Sequence, residues 1–369
     1  MTTERYQLYA VEGSYYAAKA RSCLLRKGIA FEEIRADRRA FEEVIVPRVG
    51  YPIIPVVVTP SGETLQDTTA IFDFLEATHQ EIALLPASPV TRFACYLVEF
   101  LADEWLKIPA LHYRWYYDRA FAERMMGENN DPDAPLEQQL RVGAKIATLF
   151  RSWPAHLGVS EATRNAVEAD LCALLEALDV HFALYPFVMG TSASLADCAL
   201  MGPVYAHLFH DPYSGAIVRD KAPKVCDWIE RMRTSVEAVE DQLTDEAIPD
   251  SLMNVLGLIA RDAVPAMCEA MPKLQSWLVA YDDRDELPRY AGDYLITLGR
   301  GTAAEASARR SIQPFEQWKL QRLQASFVSA DQTGRKNIRS FATLIGAAPL
   351  LDIELPLQIK RENFVLRKA

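Results

Sequence analysis

Ile53-Ile54-Pro55-Val56-Val57-Val58-Thr59-Pro60-Ser61-Gly62-Glu63-Thr64-Leu65-Gln66-Asp67-Thr68-Thr69-Ala70-Ile71-Phe72-Asp73-Phe74-Leu75 sets a strand, a turn and a helix in immediate succession. Val56, Val57 and Val58 are β-branched and suit a strand. Pro55 lacks an N–H, so it belongs at the start of that strand, and the Ile54–Pro55 bond is one that can be cis at modest cost. Pro60-Ser61-Gly62 is turn chemistry. Asp67 or Thr68 can cap the helix that follows, whose first N–H groups then face any anion above them. That order points to a site for a small carboxylate-bearing molecule.

Upstream, residues 6–11 are short and strand-like. Ser14-Tyr15-Tyr16-Ala17-Ala18-Lys19-Ala20-Arg21 opens a helix that continues through Cys23, Leu24 and Leu25 and stops at Gly28. Residues 29–34 form a second strand, and residues 35–43 a charged helix or loop. The order β-α-β-α-β-β-α fits within the first eighty residues or so. With Pro55 before its strand and Asp67-Thr68 heading its helix, this segment resembles the glutathione-binding, thioredoxin-like domain of glutathione transferases.

Beyond a Pro86–Pro89 break the pattern becomes helical. Phe93, Tyr96, Leu97, Phe100, Leu101, Glu104, Trp105 and Ile108 share one face at i, i+3, i+4, i+7 spacing and predict one long helix. Residues 136–157 and 160–184 are amphipathic in the same way. Ser194 and Asp197 form a Ser-x-x-Asp capping box ahead of an apolar helix, which resembles the helical second domain of the same family. Pro223 opens a further helix. Residues 241–369 exceed what the family needs. They carry an apolar pattern from Leu252 to Leu278, either one long or Pro265-kinked helix or a helix pair. A helix around 315–327 and a strand-like tail over 350–366 follow. The expected fold is α+β then all-α, divided as 1–85 (thioredoxin-like), 89–240 (helical) and 241–369 (a mostly helical extension of unassigned role).

Composition narrows the function. Half of the 369 residues are apolar and 24% are charged, a globular balance. The net charge of −11 argues against nucleic acid or an anionic membrane as the main partner. No apolar run reaches the ~20 residues of a membrane span, and the first residues lack a signal-peptide core. Six cysteines without redox or metal spacing read as buried reduced thiols, which implies a cytoplasmic setting. His207, His210 and Asp211 lack a third ligand cluster, so no metal is expected. Gly299-Arg300-Gly301 mimics a dinucleotide loop, but too little chain follows for that domain, and it reads as a plain loop.

The chemistry rests on Ser14. It follows the first strand and opens the first helix, where the helix dipole favours an anion. A glutathione thiol with a pKa of roughly 8.5 is mostly protonated at neutral pH. A hydroxyl donor at a helix N-terminus would stabilise its thiolate. The family resemblance implies the rest: Ser14 activates the thiol, the Ile54 peptide before Pro55 pairs with the cysteinyl backbone, and Asp67 and Thr68 hold the γ-glutamyl amino and carboxylate groups. Ala17 stands where redox relatives keep a second cysteine, which argues against disulfide exchange. Tyr9 is the rival donor, one residue out of register on its strand. The loop Gly50-Tyr51-Pro52-Ile53 is longer than the family's usual one. Tyr15, Tyr16, Tyr113 and Tyr116 are candidates to line the pocket of a hydrophobic electrophile. The expectation is a transferase with glutathione as cosubstrate, paired as a homodimer. The alternative is a non-catalytic binding or scaffold protein on the same fold.

Overall fold

The computed structural model describes residues 5–234, 247–281 and 286–369. The first domain is a four-stranded sheet in the order β2-β1-β3-β4, made of Tyr6–Ala10 (β1), Phe31–Arg35 (β2), Val56–Val58 (β3) and Thr64–Gln66 (β4). β1 runs parallel to β2 and antiparallel to β3, which pairs antiparallel with β4. The first helix, Tyr15–Arg26, and the helix Thr68–Thr78 cover one face. There Leu8, Ala10 and Val57 pack against Ala17, Ala20, Leu24, Ile71, Phe72 and Leu75 in the main core. The other face holds Tyr9, Ile45, Val49, Val56 and Val58 under a helical segment made of Arg38–Ala40, a π-turn at Phe41–Ile45 and Val46–Val49. The period-two alternation of β1 therefore separates Tyr9 from Leu8 and Ala10. The expected charged helix or loop is this segment.

The second domain is helical. The single long helix expected over 93–108 is instead two, Pro89–Glu104 and Lys107–Tyr116. Pro109 explains the break. It has no N–H to continue the ladder and is tolerated only in the first turn of a new helix. Helices Arg119–Asn130 and Leu136–Ala147 pack so closely that a Cβ at Gly127 would sit 1.9 Å from the Gln139 carbonyl. Arg164–Leu184, Leu195–Leu200 with its π-helical continuation Met201–Phe209, Pro212–Lys221 and Pro223–Arg233 complete the domain. The Ser194–Asp197 capping box forms. Asp197 accepts from the Ser194 N–H (2.9 Å) and hydroxyl (3.0 Å), from the Val188 N–H (2.9 Å) and from the Trp228 indole (2.9 Å). This one buried carboxylate ties three segments together.

The extension is part of the same body. Asp250–Ala280 is one 31-residue helix that runs through Pro265 and Pro272. It has the length and composition to cross a membrane, but 56% of its most apolar window is buried inside the protein. Gly299 and Gly301 lie in the turn of a hairpin, Asp293–Leu298 (β5) with Ala306–Ser311 (β6). The helices Pro314–Ser329 and Gln332–Leu344 follow, and the chain ends in a second hairpin, Ile359–Glu362 (β7) with Val365–Lys368 (β8). The strand-like tail is thus real only from Ile359 onward. The expected boundary at 240/241 and the Asp/Arg-rich residues 282–285 lie outside the described residues.

Candidate functional site

Sheet register gathers the proposed groups. Tyr9 pairs with Val56, and Val56 with Gln66, so the end of β1, Pro55 and Asp67 meet at one end of the sheet. The Ile54–Pro55 peptide is cis. Among the described residues no backbone partner is found for the Ile54 peptide groups.

Ser14 is the N-cap of the first helix. Its backbone is extended, its N–H donates to the Val11 carbonyl (3.2 Å), and its carbonyl accepts from Ala18 (3.1 Å). Its hydroxyl makes no capping bond and the residue is partly exposed, so the oxygen is available at the positive end of the helix. The carbonyl just before it is held from below. Arg114 Nη1 donates to Gly13 O (2.9 Å), while Nε and Nη2 donate to the two Asp211 oxygens at 2.6 Å each. Burial alone would raise the Asp211 carboxyl, but the Arg114 guanidinium overrides it and holds the group at about 2. Burial and the same guanidinium push His207 far down, so its ring is neutral and accepts from Arg114 (2.7 Å). At Gly13 a Cβ would lie 2.6 Å from Met125 Sδ, so a larger residue there would have to displace that side chain.

Asp67 caps the Thr68–Thr78 helix by accepting the Thr69 N–H (2.8 Å), at a φ of 75° that L-residues rarely adopt. Such a conformation costs ~1–3 kcal/mol and persists where its surroundings impose it. Part of its surroundings comes from the extension. Lys319 Nζ stands 3.8 Å from the Asp67 carboxylate, donates to Asp103 (2.9 Å) and touches Thr69 Oγ1. Arg361 Nη1 donates to the Gln66 carbonyl (2.9 Å), and Nη2 to the Gln66 side chain. Burial would raise Asp67, but Lys319, Arg361 and Lys19 together keep it below the usual carboxylate range. Thr68 is only 1% exposed, and its hydroxyl is buried without a partner.

Behind this edge lies a buried charge network. Lys19 donates to Glu99 (2.7 Å) and Asp103 (2.6 Å), and Arg322 reaches Glu99 (3.1 Å) and Asp73. The cations of the extension and the carboxylates of Pro89–Glu104 thus join all three parts of the chain.

The tyrosines require corrections. Tyr15 is buried, with its hydroxyl on the Ala102 carbonyl (2.5 Å) and its ring against Gly202, so it packs the domains together. Tyr113 is likewise core, stacked on Tyr117 and Tyr213 and facing away from the Arg114 side of its helix. Tyr116 is 50% exposed and pairs with Arg164 through its ring and hydroxyl. Tyr16 is only partly buried, and its hydroxyl donates to the Asp103 carbonyl (3.1 Å). Burial and the nearby Glu104 and Asp103 carboxylates keep that phenol protonated. Tyr9 sits in the opposite apolar cluster, with its phenol raised by burial.

Arg114, Lys319 and Arg361 escaped the sequence reading. Only Lys319 left a signal: a cation beside Leu320 and Leu323 on the buried stripe of an amphipathic helix. Among the described residues no group of three or more His, Cys, Asp or Glu side chains could hold a metal. A cavity of about 50 Å³ lined by Trp105, Pro109, Leu174, Asp262 and Leu298 has room for little more than a water or two and lies in the helical layers.

Two family profiles match the chain: "Glutathione S-transferase, N-terminal domain" over residues 8–82, and "Glutathione S-transferase, C-terminal domain" over residues 142–235. The chain carries both domains of the glutathione S-transferase family. The extension lies beyond them. Similar solved structures include a beta-etherase from Sphingobium sp., 20% identical, covering 63% of this chain and 95% of that one with a TM-score of 0.44. A glutathione S-transferase from Rhodospirillum rubrum is 17% identical, with 68% and 99% covered and a TM-score of 0.41. One from Ceriporiopsis subvermispora, in complex with glutathione, is 16% identical, with 64% and 100% covered and a TM-score of 0.43. No curated protein matches the chain.

Proposed function

We propose that the chain is a glutathione transferase-like enzyme in which Ser14 activates the glutathione thiol for attack on a hydrophobic electrophile. The observation that carries this reading is the uncapped Ser14 hydroxyl at the N-terminus of the first helix, which follows the strand that pairs with the one opened by the cis Ile54–Pro55 bond. Ser14 donates a hydrogen bond to the sulfur, the helix dipole adds positive potential, and the thiol proton leaves to solvent. Ile54 offers its peptide groups to the cysteinyl backbone. Asp67 takes the α-amino group, and the Thr68 end of its helix takes the α-carboxylate. Tyr16 stays protonated and presents an aromatic wall to the electrophile. The sulfur forms a bond to the electrophilic carbon by addition or by displacement of a leaving group. A homodimer in the cytosol belongs to the same reading.

A specific observation favours a second reading, a non-catalytic binding protein. Lys319 and Arg361 already stand against Asp67 and Gln66, where the cosubstrate's polar groups would go. Thermal shift with millimolar glutathione, followed by turnover against an electrophile panel, separates the two. No stabilisation sinks the enzyme, and stabilisation without turnover selects the binding protein.

A further inference from the structure

We infer that the carboxy-terminal hairpin β7–β8 is a built-in cover for the thiol-peptide groove, held shut by Arg361 and Phe364 and displaced when the groove is used. This rests on the reading of that groove as the cosubstrate site. Three contacts place the cover. Arg361 bonds the carbonyl and side chain of Gln66, immediately before Asp67. The Tyr51 hydroxyl donates to the Phe364 carbonyl (2.6 Å) from the long loop before Pro55. The Phe364 ring joins the apolar cluster that also holds Tyr51, Ile53 and Ile54. A peptide carbonyl, an apolar side chain and a cation are thus set along the edge on which a bound peptide would lay its own groups.

The hairpin is anchored at its base and along β8, where Leu366 enters the main core and its carbonyl accepts from the Leu287 N–H (2.9 Å). Gln317 donates to the Leu357 carbonyl (2.7 Å), and the Gln321 side-chain amide brackets Ile359 with bonds of 2.7 and 2.9 Å. These anchors leave out the Asn363-Phe364 turn and the Arg361 side chain, so the turn can lift and the side chain swing away while both strands stay in place.

The turn carries independent support. Glu362 pairs with Val365, so Asn363-Phe364 is a two-residue loop with φ of 48° and 67°. The second place of such a turn suits glycine, and a bulky aromatic there is unfavourable in local terms. The turn gains nothing from Phe364. The contact with the first domain does.

That mismatch supplies the test. Phe364→Gly suits the turn better, so it removes the ring contact without weakening the hairpin, and Arg361→Ala removes the second hold; the Tyr51 bond to the backbone carbonyl remains. Calorimetry with glutathione on the full-length double variant should show binding at least tenfold tighter than wild type, because two of the three contacts that hold the competing occupant are gone. Amide exchange should rise over residues 51–54 and 66–67. Where the wild type binds glutathione, unchanged or weaker binding in the double variant overturns the cover. So does unchanged exchange, whatever the ligand does. Faster exchange with no glutathione binding to either protein leaves the cover standing and removes the glutathione reading instead.

Discussion

Replacing Lys319 by methionine removes a charge while nearly keeping the volume, which isolates the electrostatic role of the extension. Lys319 is 3% exposed, bonds Asp103 at 2.9 Å and stands 3.8 Å from Asp67. Burial works against its charge, but Asp103, Asp67 and Glu99 more than compensate and keep the ammonium protonated. Removing one partner of a buried ion pair costs about 3–5 kcal/mol, since the carboxylate left behind has lost its solvation. Asp103 keeps Lys19 at 2.6 Å, which places the expected loss near the lower end, ~3 kcal/mol. Urea unfolding at pH 7, followed by tryptophan fluorescence, measures it as a drop in midpoint. Asp103→Asn in the same background should recover part of the loss, with a coupling of ~1–3 kcal/mol. A loss under ~1 kcal/mol, or strict additivity of the two substitutions, would refute the network as the clamp between extension and core.

Three further outcomes are expected. Asp211 is depressed to about 2 by Arg114 from an ordinary 3.8, so the pair contributes roughly 2.5 kcal/mol above pH ~4. The sign follows from a folded pKa below the unfolded one. The stabilisation is full at neutral pH and is lost as pH falls from ~4 to ~2, and Arg114→Met should flatten that limb of an acid-unfolding curve. Ser14→Ala should leave the thermal midpoint nearly unchanged, because the hydroxyl makes no capping bond, while bound glutathione loses its ultraviolet thiolate absorbance. A large drop in midpoint would mark Ser14 as structural. Asp197→Ala strips four hydrogen bonds from two segments and the Trp228 indole, and chemical denaturation should register a loss of about 3–5 kcal/mol.

The local features of the fold were legible because each is written in neighbouring residues. Pro55 before three valines, Asp67 heading a helix and Ser194 three residues before Asp197 are short-range signals, and all three appear in the structure. Periodicity located most of the helices. It misplaced the break at Glu104–Lys107, since the apolar spacing runs on through Trp105 and Ile108 while Pro109 restarts the helix. The tyrosines misled for a related reason. A run of four aromatics in six residues must point several ways, and only tertiary packing decides that Tyr113 enters the core while Tyr116 faces Arg164. Least legible were Arg114, Lys319 and Arg361. Their partners lie 97, 216 and 295 residues away, and only Lys319, beside Leu320 and Leu323, left any local trace.

The last of those separations has a consequence in time. Gln66 and Arg361 are 295 residues apart, and ribosomes add roughly 5–20 residues each second, so Arg361 is made about 15 to 60 s after its partner. Through that interval the nascent first domain carries its apolar Tyr51–Ile54 loop bare, and Asp67 lacks Arg361, and for most of it Lys319 as well. If that edge is the proposed cosubstrate groove, a newly made chain passes through a stage in which it is open to small thiols before its own tail arrives to compete with them.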